Sequence, residues 1–303
     1  MNTDHDTLAN APHACNGRRL LGAVLLAAGA MAAWPAVGRE GVDVGPKSNF
    51  SMLVPAEQIE QAATQQYLQL RQQAAQKGAL APDGNPQLVR LRSIAARIVP
   101  FTYEWNERAR QWRWEVNLIG SRQVNAFCMP GGKIAFYYGI LEQLQLNDNE
   151  VAIIMGHEMT HALREHARER MGKSFATRGA IEVGAAIFGL GNGGRYLAGM
   201  GGDLLTLRFG REDESEADLV GMELAARAGY DPRAGVTLWQ KMAAANKGAP
   251  PQWLSTHPSA PTRIHDIESN IGKVAGLYER APKPPQRFEP PPRAAARTDS
   301  GTH

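Results

Sequence analysis

Two histidines four residues apart enclose a glutamate in His157-Glu158-Met159-Thr160-His161. On a helix of 3.6 residues per turn such positions share a face, so both imidazoles can grip one Zn²⁺. Glu158 is placed to take a proton from a water that the metal makes acidic, which turns that water into a nucleophile. Two surface histidines on a polar helix would call for polar residues before them; Val151-Ala152-Ile153-Ile154-Met155 lead in instead and mark a buried segment. A catalytic zinc needs a third protein ligand and an open fourth position. Candidates lie in Arg211-Glu212-Asp213-Glu214-Ser215-Glu216-Ala217-Asp218. Glu214 and Asp218 are again four apart on a predicted helix. Glu214 can then bind zinc while Asp218 accepts the distal N–H of a ligand histidine and fixes its tautomer. The alternative is a solvated acidic helix start, favoured by the helix dipole. With 2 cysteines among 303 residues, any metal must be held by histidine and carboxylate.

Taken together, His157-Glu158-x-x-His161 and Glu214-x-x-Ala217-Asp218 resemble the gluzincin family of CAAX prenyl protease and HtpX-type metallopeptidases. Asn125-Ala126-Phe127 with Pro130-Gly131-Gly132 is similar to that family's active-site edge strand. Thr256-His257-Pro258-Ser259, followed by Arg263, is similar to its downstream signature. The resemblance spans roughly residues 85–275, with the motifs in order. It implies an α+β fold of zincin type, mostly helical with a small β-sheet, and one zinc ion per chain. It also implies His157, His161 and Glu214 as ligands and Glu158 as general base. Substrate would add as a strand beside Asn125, Ala126 and Phe127, or beside 133–138, through main-chain hydrogen bonds that do not read sequence. His257 has three readings: donor to a tetrahedral oxyanion, zinc ligand in a resting, self-inhibited state, or structural loop residue. Arg263 either anchors that loop by pairing with an acid or holds the substrate backbone; the pairing is the expectation carried forward.

The elements that must position these groups are legible from periodicity and caps. Asn147 and Glu150 form a capping box that opens a helix predicted to run to about Arg170. On that helix His166 is about 2.5 turns past His157 and faces away from it, as an exposed or structural residue. A further helix covers 212–227 and ends at Gly229; two more are predicted around 233–246 and 261–278, the last with His265 on its exposed face. Upstream, Pro55 to Lys77 and the apolar face Leu88, Leu91, Ile94 and Ile98 predict two helices. Trp112, Trp114, Val116 and Leu118 alternate with polar residues, predicting a strand paired through a turn near 106–110. Two short strands, 124–129 and 133–138, flank Pro130-Gly131-Gly132. The glycine-rich apolar stretch 179–202 reads as a helical hairpin or mobile cover over the site.

Composition limits the setting. Lys and Arg number 33 against 30 Asp and Glu, a net charge of +3 that is too even to predict a nucleic-acid partner. Residues 1–38 read as a cleavable signal peptide: Arg18-Arg19, an uncharged run from Leu20 to Trp34, then Ala36-Val37-Gly38. That run is short for a bilayer span, which needs about 20 residues. Its removal leaves Cys128 alone, without an internal disulfide, in a strand where a buried hydrophobe is the simplest reading. The domain is expected over 39–280, followed by a disordered proline-rich tail over 281–303. The expectation is therefore a zinc endopeptidase of an exported compartment, such as the bacterial periplasm. It would act on unfolded or misassembled protein substrates, with peripheral association to the envelope membrane as an option. A chaperone-like assembly factor with structural zinc is the alternative, and an intact Glu158 argues against it.

Overall fold

The computed structural model describes residues 39–177, 204–246, 251–258 and 262–293. The expected signal segment, the glycine-rich cover at 179–202 and the last ten residues lie outside the described residues. Among the described residues the helices are α1 (Ala56–Gln76), α2 (Pro86–Ile98), α3 (Tyr138–Leu144), α4 (Asp148–Leu163), α5 (His166–Thr177), α6 (Arg211–Arg227), α7 (Ala234–Ala245), α8 (Gln252–Thr256) and α9 (Arg263–Arg280). The strands are β1 (Glu115–Ile119), β2 (Ala126–Met129) and β3 (Lys133–Tyr137), in the order β1-β3-β2. This is the mostly helical α+β fold with a small sheet that the sequence implied. No described helix is long and apolar enough to cross a membrane.

Helix α4 is the axis of the domain. Its capping box forms as expected: Asn147 Oδ1 accepts from Glu150 N at 3.0 Å, and Glu150 Oε2 accepts from Asn147 N at 2.9 Å. Such caps contribute about 1 kcal/mol. Both glycines of the Pro130-Gly131-Gly132 turn have positive φ, 83° and 75°, which folds β2 back antiparallel onto β3. β2 is thereby an edge strand, and its side chains pack against α4.

Three local expectations are corrected. The stretch before β1 is not a hairpin arm, because Val99–Glu104 and Glu107–Arg110 form 3-10 turns and β1 pairs parallel with β3. Asn106 drives this: its Oδ1 caps Arg108 N at 3.1 Å, a local bond that competes with strand pairing, and its Nδ2 donates to Leu163 O at 3.0 Å, which ties the turn to the end of α4. The histidine helix does not run to Arg170. It ends at Leu163, and Glu165 turns into the left-handed region at φ 63° before α5 restarts at His166.

Finally, the proline-rich segment is ordered against the domain as far as residue 293. Phe288 N donates to Asp148 Oδ2 at 2.9 Å, Gln145 Nε2 to Pro291 O at 2.9 Å and Gln87 Nε2 to Glu289 O at 3.0 Å. An extended proline-rich chain leaves its carbonyls free to accept, so it docks without apolar periodicity.

Candidate metal centre

The site is assembled where α4 crosses α6. At the crossing, a Cβ on Gly156 would lie 2.5 Å from Gly221 O, and one on Gly221 would lie 2.5 Å from His157 N. Two bare glycine backbones therefore let α6 approach the turn of α4 that carries His157. This crossing sets the first turns of α6, with Glu214 and Asp218, against both histidines.

Four buried side chains converge: one ligand atom each from His157, His161, Glu214 and His257 lies within 4.8 Å of the others. His157 Nε2 and His161 Nε2 are 3.1 Å apart, and each is 3.7 Å from a carboxylate oxygen of Glu214. His157 Nδ1 lies 3.1 Å from Asp218 Oδ1, so its N–H donates to that carboxylate and Nε2 keeps its lone pair for the centre. Arg263 Nε and Nη2 grip Asp218 at 2.7 and 2.6 Å, and Nη1 donates to Glu214 Oε2 at 2.5 Å.

Burial lowers the pKa values of His157, His161 and His257, which favours the neutral imidazoles that bind metal. Burial also pushes the Glu214 carboxyl up to about 8, against the pull of Arg263. Asp218 is opposite: burial raises it, but Arg263 and the His157 hydrogen bond outweigh that and hold it at about 2. Burial pushes the Glu158 carboxyl well up, with the Trp253 hydrogen bond acting the other way.

The donor set fits a divalent cation. Among the described residues, Glu214 Oε1 and His257 Nε2 are buried without a hydrogen-bond partner, and both belong to the cluster. Unpartnered buried acceptors are costly. With Nδ1 of each α4 histidine engaged elsewhere, two bare nitrogens face each other at 3.1 Å. A cation at this cluster relieves all of these penalties at once, and imidazole and carboxylate donors suit zinc.

The profile of peptidase family M48 matches residues 90–271, which include the α4 histidines, the α6 acids and Arg263. The chain belongs to peptidase family M48. This M48 chain is 38% identical over 170 residues to "Mitochondrial metalloendopeptidase OMA1" of Arabidopsis thaliana, covering 55% of this chain and 34% of that one. It is 28% identical over 203 residues to "Metalloprotease LoiP" of Escherichia coli, covering 66% and 77% of the two chains. It is 26% identical over 167 residues to "Beta-barrel assembly-enhancing protease" of Yersinia pestis, covering 52% and 34%. The chain spans between a third and a half of the length of several OMA1 relatives.

The remaining expected site residues of this M48 domain also surround the cluster. Asn125, Ala126 and Phe127 line a cleft together with Glu158, His161 and His257. Arg263 pairs with acids, as expected, rather than facing that cleft. His257 lies in the cluster with Nε2 3.6 Å from Glu158 Oε2. His265 is exposed and Cys128 is buried in β2, both as read from the sequence.

Four further neighbours, Trp253, Phe209, His166 and Glu216, have no role at the site that the sequence predicts. Trp253 donates its indole N–H to Glu158 Oε1 at 2.6 Å and stacks on His257 with ring centroids 4.7 Å apart. Phe209 stacks on His161 at 3.8 Å. His166, expected to face away, is buried with Nδ1 2.9 Å from His161 Nδ1, and its Nε2 meets Glu216 at 3.2 Å. The break at Glu165 explains His166, because helical-wheel geometry stops applying there. Trp253 had one usable signal, a tryptophan four residues before the histidine of a family-like loop.

Proposed function

We propose that this chain is a zinc endopeptidase. The observation that carries the reading is the convergence of two partnerless buried acceptors, Glu214 Oε1 and His257 Nε2, on a histidine pair with Glu158 alongside. His157, His161 and Glu214 would hold the metal, which would supply Lewis-acid polarisation of the scissile carbonyl and a more acidic attacking water. Glu158 accepts the proton of that water and returns it to the leaving amine. Its Oε1 is held by Trp253, which leaves Oε2 to exchange the proton. The substrate lies extended along the edge strand β2, beside Asn125, Ala126 and Phe127, and is held by main-chain hydrogen bonds. Asp218 fixes the His157 tautomer, and Arg263 holds Asp218 and Glu214 in place.

Strand addition without sequence readout suits unfolded or misassembled proteins. The signal-like segment 1–38 supports export, with the periplasm as compartment and peripheral contact with the envelope membrane. Relatives named metalloendopeptidase, metalloprotease and assembly-enhancing protease support a role in protein quality control.

The test is metal analysis and casein cleavage by the full chain and by Glu158→Gln. We expect about one zinc per chain in both proteins. The variant should lose at least about 100-fold in cleavage. Equal cleavage by a zinc-loaded Glu158→Gln variant overturns the mechanism and favours a structural zinc.

A further inference from the structure

We propose that His166 and Glu216 are positioning residues: they form a relay that fixes the tautomer and ring orientation of His161 for metal binding. The inference rests on the metal reading above and extends it to two residues outside the ligand set. His166 Nδ1 lies 2.9 Å from His161 Nδ1. At that distance two N–H groups clash and two lone pairs repel, so one proton lies between the rings. His161 Nε2 faces His157 and Glu214, and metal binding requires its lone pair. The proton of His161 is therefore on Nδ1, and His166 accepts it there.

His166 must then carry its own proton on Nε2, which meets Glu216 Oε2 at 3.2 Å. Glu216 Oε2 also accepts from Arg164 Nε at 2.6 Å, and Arg164 Nη2 donates to Gly45 O at 3.0 Å. The chain of donors ends on a carboxylate fixed from the other side. Each α4 histidine thus has its own anionic terminus. His157 reaches Asp218 directly, whereas His161 reaches Glu216 through an intervening imidazole.

The left-handed turn at Glu165 makes this possible. It ends α4 at Leu163 and swings His166, 1% exposed, back over the last helical histidine. Asn106 Nδ2 fastens the turn by donating to Leu163 O and Glu165 Oε1 at 3.0 and 3.3 Å.

The experiment measures zinc affinity of the full chain by competition with a chromophoric chelator, beside melting of the metal-free protein and the visible spectrum of the cobalt-loaded form. His166→Leu should bind zinc about 10–100-fold more weakly and change the cobalt spectrum. His166→Gln should recover to within about threefold, because its amide oxygen accepts from His161 and its amide nitrogen donates to Glu216. A merely structural role would lower the melting of the metal-free protein for both variants and leave the zinc constants alone. Zinc binding by His166→Leu equal to wild type, or no recovery in His166→Gln, overturns the relay. If His166→Leu does not fold, Glu216→Ala reads the other end, and an unchanged zinc constant there is equally fatal. Failure of the wild-type chain to bind zinc would instead overturn the metal reading, and the relay with it.

Discussion

The indole N–H of Trp253 donates to Oε1 of Glu158 at 2.6 Å, across 95 positions of sequence. The same indole stacks on His257, and Trp253 N donates to Val124 O just before the edge strand. One short helix thus touches the proposed base, a candidate ligand and the start of the substrate edge.

Trp253→Phe keeps the stacking surface and removes the donor. A hydrogen bond to a charged group contributes about 1.5–3 kcal/mol. Steady-state kinetics on a peptide substrate should therefore show kcat lower by about 10–100-fold, with KM little changed. An unchanged kcat would remove Trp253 from the machinery.

His257→Ala opens one position of the cluster. Because His257 Nε2 is buried without a partner and grouped with the other three candidate ligands, we expect casein cleavage to rise and zinc to remain bound. A fall in cleavage with zinc retained would assign His257 to the oxyanion instead.

Arg263→Ala leaves Asp218 and Glu214 buried without their cation. Removing one partner of a buried ion network costs about 3–5 kcal/mol. Chemical denaturation of the metal-free protein should show that loss. Arg263→Lys should recover only part of it, since an ammonium cannot reproduce the two-pronged grip on Asp218.

The same pair sets a pH dependence. Asp218 is held at about 2 against an ordinary 3.8, so its contribution is fully present above 3.8 and is lost as pH falls through about 2. That contribution is roughly 2 kcal/mol. The stability gap between wild type and Asp218→Asn should narrow by this amount on going from pH 5 to pH 2. A constant gap would show that Asp218 is not specially held as an anion.

Gly221→Ala places a methyl group against the backbone of His157. Overpacking of this kind costs about 1–3 kcal/mol, and here it also pushes α6 away from the histidines. Lower stability and weaker zinc binding should appear together in calorimetry and chelator competition. Wild-type values for both would mean that the crossing is not tight in solution.

Much of this site is local. The pairing of His157 with His161, the capping box at Asn147 and the double-glycine turn before β3 follow from helical period, cap chemistry and backbone freedom, each acting within a few residues. Glu214 and Asp218 were visible for the same reason, as two acids one turn apart. His166 faces the site rather than away from it because one left-handed residue, Glu165, breaks the helical period. The hairpin expected before β1 failed because Asn106 bonds to Leu163, 57 positions away, and stabilises a 3-10 turn.

The sequence by itself thus determined which side chains share a helical face and which chemistry they can support together. Tertiary structure alone decided that α6 meets α4 at Gly156 and Gly221, that Arg263 binds both acids, that Trp253 reaches Glu158 and that His166 backs His161. The reason is physical. Facing along one element depends on a fixed rise and rotation per residue, whereas approach between elements depends on close packing and on which buried polar groups find partners, and neither leaves a period in the chain.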